Sequence, residues 1–150
     1  MKIFVDADSC PKDARELVIR TARRLGITAV FAANRPITGI GGEKTVMEIC
    51  PPGDNSADNR IAELAAPGDI AISRDLALAK RLLENGVTVI DDRGRVFSRD
   101  SINELLSLRD FTVSLAEYGM GAERISNYGK KERKAFADSL DRQLAKLDKK

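Results

Sequence analysis

Ile3-Phe4-Val5-Asp6-Ala7-Asp8-Ser9-Cys10-Pro11 passes from an apolar strand through two carboxylates into a helix start. A buried strand that ends in acids and turns at once into a helix is the first half of a βαβ unit. Side chains at i and i+2 of a strand share a face, so Asp6 and Asp8 are expected to converge near the carboxyl end of this strand. Ser9 to Pro11 supply a cap and a proline at the first helical position. Leu17, Val18, Thr21, Ala22 and Leu25 then form an inward stripe, and Gly26 ends the helix.

The same alternation continues outward. Thr28 to Ala33 reads as a second strand, and the glycine-rich stretch from Asn34 to Gly42 as a mobile loop. Glu43 to Cys50 reads as a third strand, broken by Pro51-Pro52-Gly53-Asp54-Asn55. Ser56 caps a helix with Ala57, Ile61, Leu64 and Ala65 inward and Asp58 in its first turn. Asp69 to Ser73 is a short strand; Asp75 starts a helix carrying Leu76, Leu78, Ala79, Leu82 and Leu83; Val87 to Ile90 is the last strand. Right-handed crossovers then make the sheet mainly parallel, in a three-layer α/β/α fold. From Ser101 the pattern is helical only, through Ile102, Leu105, Leu106 and Leu108, then Ala135, Phe136, Leu140, Leu144 and Leu147.

Composition narrows the chemistry. The 150 residues include no histidine, which excludes Ser-His-Asp and Cys-His devices and a His-ligated zinc. Tryptophan is absent and aromatics make up 5%, so any nucleic-acid contact would lean on phosphates rather than on base stacking. The net charge of +2 indicates no partner by itself, although Lys130, Lys131, Arg133, Lys134, Lys146, Lys149 and Lys150 make the last stretch basic. Cys10 and Cys50 form neither a CxxC pair nor a disulfide framework, so free thiols and a cytoplasmic location are expected. No signal peptide is expected, and no apolar run approaches the ~20 residues that span a bilayer.

Acids recur at one predicted sheet edge: Asp6 and Asp8, Asp54 and Asp58, Asp75, and Asp91 with Asp92. Clustered carboxylates raise one another's pKa unless a cation neutralises them, so a Mg2+ or Mn2+ site is expected. Such ions activate water and stabilise charge on a scissile phosphate without histidine. Asp6 and Asp75 are the leading ligands, with Asp8, Asp54 and Asp58 completing the shell. Plainer roles compete: Asp58 and Asp75 suit helix starts, Asp54 suits a turn, and Asp91 and Asp92 suit a tight turn with an ion pair. Cys10, near a helix start, could carry a lowered pKa or simply pack beneath the helix.

The segments Asp6-Ala7-Asp8-Ser9-Cys10-Pro11, Gly53-Asp54-Asn55-Ser56-Ala57-Asp58 and Gly68 through Ala79, with Arg93-Gly94, Ser101-Ile102-Asn103 and Leu106 to Arg109, resemble the YaiI/YqxD family of bacterial proteins. More distantly, Ala57 through Ile90 resembles the second half of PIN-type domains, metal-dependent ribonucleases with acids at strand ends. That resemblance implies Asp6, Asp58 and Asp75 as the matching acids and metal ligands, with Asp54 a fourth. The change of pattern at Ser101 divides the chain into an α/β core, 1–100, which is PIN-like by this resemblance, and a helical extension, 101–150, which belongs to the same domain because the linker from Arg124 to Gly129 is short. Ser73 stands where these families more often have threonine, and the first helix offers only Asp13 and Glu16 as acids.

The expected activity is metal-dependent hydrolysis of RNA phosphodiesters by Asp6, Asp8, Asp54, Asp58 and Asp75, with Ser73, Arg93, Lys130 and Lys131 on the substrate. A non-catalytic RNA-binding module is one rival, using Arg93, Arg95, Arg99 and the cluster from Lys130 to Lys134. A phosphomonoesterase resembling the haloacid-dehalogenase superfamily is the other. There Asp6 is nucleophile, Asp8 general acid, Ser73 a phosphate binder, Lys80 a charge partner, and Asp91 with Asp92 the magnesium pair. The apolar face of the C-terminal helices suits a homodimer as well as packing on the chain's own sheet.

Overall fold

The computed structural model describes residues 1–42, 44–53, 56–117 and 128–148, with backbone alone over 109–117. Its elements follow in the order β1 (Lys2–Asp6), α1 (Lys12–Leu25), β2 (Thr28–Ala33), β3 (Thr45–Ile49), α2 (Ser56–Leu64), β4 (Ile70–Ile72), α3 (Leu76–Glu84), β5 (Thr88–Ile90), α4 (Arg99–Glu117) and α5 (Lys130–Asp148). The strands form one parallel sheet in the order β3-β2-β1-β4-β5. The chain therefore winds outward from β1 in one direction, returns, and winds outward in the other. The reversal lies between β1 and β4, where Val5 pairs with Ile72.

Strand alternation divides the core into two layers. Ile3 and Val5 of β1 join Ala29 and Phe31 of β2 and Ile70 and Ile72 of β4 under α1 and α5. Phe4, Val30, Ala32, Ala71 and Val89 face the other way, beneath α2, α3 and Ile102 of α4. Asp6 follows Phe4 by two residues and so belongs to the face that α2 and α3 cover. Both faces being covered explains why β1, β2, β4 and β5 are nearly continuously apolar, whereas the edge strand β3 is only partly buried.

Several sequence expectations shift. Pro11 is the N-cap residue of α1 rather than its first helical residue, and Ser56 is already inside α2. Leu25 is 46% exposed because it closes the last turn of α1 beside Gly26, beyond the reach of the sheet. Leu64 and Leu108 are likewise exposed, and Ala135 turns its side chain outward. The glycine-rich loop is anchored: Ile37 and Ile40 pack on the core, and Arg23 donates to the Gly41 carbonyl at 3.3 Å. The linker expected at 124–129 falls mainly outside the described residues. No described helix is long and apolar enough to cross a membrane.

Candidate active site at the strand-order reversal

β1 and β4 both deliver their carboxyl ends to the reversal point, the crevice where open α/β sheets bind ligands. Asp6 closes β1 there. Its residue is only 8% exposed, and its Oδ2 accepts from Ser73 Oγ at 3.1 Å and Ser9 Oγ at 3.2 Å. Ser73, the residue after β4, is itself 3% exposed and accepts the Asp75 backbone N–H at 3.0 Å. Asp75 caps α3, its Oδ1 accepting from the N–H groups of Ala77 and Leu78 at 2.9 and 3.1 Å. Asp58, in the first turn of α2, leans against Asp75 from the facing helix.

The electrostatics follow from this crowding. Burial raises the pKa of Asp6, the hydroxyls of Ser73 and Ser9 lower it, and the charges of Asp75 and Asp8 raise it again. Asp58 is pushed up to about 7, first by burial, then by a shared hydrogen bond with Asp75 and by the charges of Asp6 and Asp75; Arg81 opposes the shift. Three acids from three elements thus occupy one small region.

Asp8 does not join them. β1 ends at Asp6, so the two-residue alternation stops there, and the exposed Asp8 accepts the Asn34 backbone N–H at 3.0 Å. Asp54 lies outside the described residues. Ser73, expected on the substrate, spends its hydroxyl between Asp6 and Asp75. Arg93 sits 3.8 Å from Glu132, and Lys130 and Lys131 are exposed at the start of α5, at this same edge of the sheet. Asp91 Oδ1 accepts the N–H groups of Arg93 and Arg95, and Asp92 Oδ2 pairs with Arg74. The ion pair expected around Asp91 and Asp92 therefore forms with a residue from another loop. Cys10 is buried, and its thiol is pushed up to about 12, chiefly by burial.

Sequence reasoning passed over Ser9 and Arg74. Each follows or precedes an acid in the quoted motifs, but nothing local marked Ser9 as a donor to Asp6 or Arg74 as part of a cleft wall. That cleft, about 390 Å3, is lined by Asp6, Ser9, Arg74, Asp75 and Leu76. A groove of about 450 Å3 lies at the opposite edge, among Met1, Leu25, Ile27 and Leu144, but its polar content is largely the Arg24–Asp141 ion pair. Chemistry, not size, favours the cleft at the reversal.

The family model described as "Uncharacterized BCR, YaiI/YqxD family" matches residues 4–146. The chain belongs to the YaiI/YqxD family. A UPF0178 protein of Treponema pallidum is 44% identical over 147 residues, covering 98% of this chain and 83% of its own. UPF0178 proteins of Treponema denticola and Syntrophobacter fumaroxidans are 43% and 44% identical, covering 97% of this chain in each case and 93% and 95% of their own. No solved structure matches.

For this YaiI/YqxD chain, the donor set of Asp6, Asp58 and Asp75 has the all-oxygen chemistry that Mg2+ and Mn2+ take. Asp6 and Asp58, whose pKa values are raised in part by the charge of the neighbouring Asp75, are the electrostatic counterpart of a cation site. The side chains as they stand do not enclose one ion: among the described residues, no group of three or more His, Cys, Asp or Glu does so. Asp75 is turned to its helix N-terminus and Asp58 to Asp75, an arrangement suited to a shared proton.

Proposed function

We propose that the cleft at the strand-order reversal is a phosphodiester hydrolase site acting on RNA. The convergence of Asp6, Asp58 and Asp75 from three separate elements carries this reading. Asp6, Asp58 and Asp75 would hold Mg2+ or Mn2+, which supplies an activated water and charge stabilisation at the phosphate. The chain's own groups do the rest. Ser73 and Ser9 hold Asp6 in one orientation, and Asp75 is fixed by the backbone of α3. Arg93, Lys130 and Lys131 lie along the same edge of the sheet as a basic flank for a phosphate backbone.

One observation favours a second reading, an RNA-binding module without catalysis: Asp75 already has a structural employment as the cap of α3. Cleavage of an RNA pool in Mn2+ separates the two. The hydrolase reading expects cleavage by the native chain that is lost in Asp6→Asn and in Asp75→Asn. Cleavage that survives both substitutions belongs to a contaminant and ends the proposal.

A further inference from the structure

We infer that Arg74 seats a backbone phosphate of the RNA strand in this cleft and that the buried Asp92 is its positioning residue; the ligand's identity rests on the reading above. Arg74 lies between the end of β4 and the cap of α3, in the wall of the cleft. It is the one cation among the residues that line it. The facing acids repel a phosphodiester, so a strand lying beside them needs a fixed positive charge to hold it there.

The geometry of the pair argues for aiming rather than for stability. Arg74 Nε and Nη2 both lie 2.7 Å from Asp92 Oδ2. The arginine side chain is 48% exposed, whereas that of the aspartate is only 2% exposed, with its Oδ1 lacking any hydrogen-bond partner. Removing a carboxylate from water and leaving one of its oxygens unsatisfied is costly, and an apolar residue would fill the place more stably. What the pair does achieve is a guanidinium held by one edge. Its Nη1 group makes no hydrogen bond among the described residues, the half-exposed side chain lines the cleft, and a planar fork of donors matches the non-bridging oxygens of a phosphate. Asp92 reaches the site from the turn after β5, so the aim depends on two neighbouring strands rather than on a loop alone.

The test is the fluorescence anisotropy of a short fluorescein-labelled oligouridylate with Ca2+ in place of Mn2+, followed across a potassium chloride series. Arg74→Ala should weaken binding about tenfold, the loss expected for a charge-assisted bond, and should lower the salt slope by about 0.7 for one lost phosphate contact. Arg74→Lys should recover the slope but only part of the affinity, because a point charge replaces a fork. Asp92→Asn should weaken binding while leaving the slope intact, since the cation stays but loses its anchor. Lys146→Ala, one cation removed at the far end of α5, is the control and should change neither. Equal affinity and slope in Arg74→Ala and Lys146→Ala would overturn the inference, as would a native chain that fails to bind the strand. Arg74-dependent binding without Asp6-dependent cleavage in Mn2+ upholds it and removes the hydrolase reading alone.

Discussion

Ser73 Oγ stands 3.1 Å from Asp6 Oδ2 and at the same time receives the Asp75 backbone N–H at 3.0 Å. One hydroxyl therefore ties the acid at the end of β1 to the start of α3, across the point where the strand order reverses. A hydroxyl both donates and accepts, so it serves two partners that no apolar side chain of similar size could serve.

Replacing Ser73 by alanine leaves the Asp75 N–H without its acceptor and Asp6 with one donor fewer. The expected loss is about 1–3 kcal/mol in urea denaturation, the cost of buried groups left unpaired. Ser73→Thr keeps the hydroxyl and should restore most of it. An alanine variant as stable as the native chain would show that the bridge carries no energy.

Asp58 gives the pH dependence its sign. Its pKa is about 7 in the folded chain against 3.8 for the ordinary group. Between those values the folded state binds more protons than the unfolded state, so stability falls as pH rises through this window. Burial of Asp6 and Asp92 acts in the same direction. The urea midpoint should accordingly be lower in mildly alkaline than in mildly acidic buffer, and Asp58→Asn should flatten the difference. A native midpoint that rises across the window contradicts this assignment.

Divalent cations should reverse that destabilisation. Calorimetry near neutral pH is expected to show Mn2+ binding with proton release, because the ion favours the ionised form of Asp58. Repeating the titration in buffers of different ionisation enthalpy measures the protons, and Asp58→Asn should reduce their release. Absence of Mn2+ binding would remove the metal-dependent part of the proposal.

Gly94 lies in the turn that presses on α5. Its φ is +91°, and a Cβ there would stand 2.5 Å from the Ala135 carbonyl oxygen and 2.8 Å from its carbon. Gly94→Ala therefore meets both backbone strain and a helix backbone that cannot rotate away. A loss of at least ~2 kcal/mol is expected from thermal or urea unfolding. A neutral substitution would mean that α5 is free to shift.

The parallel sheet was legible in the sequence because β1, β2, β4 and β5 are apolar runs that alternate with helices carrying stripes of their own, while the edge strand β3 is only partly buried. Leu25, Leu64 and Leu108 mark the limit of that reading. Their periodic positions suit a buried face, yet burial depends on how far the sheet extends beneath each helix. Asp6 was identified correctly as the end of β1, while Asp8 was assigned by an alternation that the chain abandons after Asp6.

By itself, the sequence determined the order of elements, the supply of carboxylates after strands, and a chemistry without imidazole. Those properties reside in local periodicity and in side-chain identity. Only the tertiary structure decided that Asp58 of α2 meets Asp75 of α3, that Ser73 reaches back to Asp6, and that Asp92 anchors Arg74 from 18 residues away. Each of these depends on strand order and on which face of the sheet a helix covers, and such pairings between distant segments leave no periodic trace along the chain.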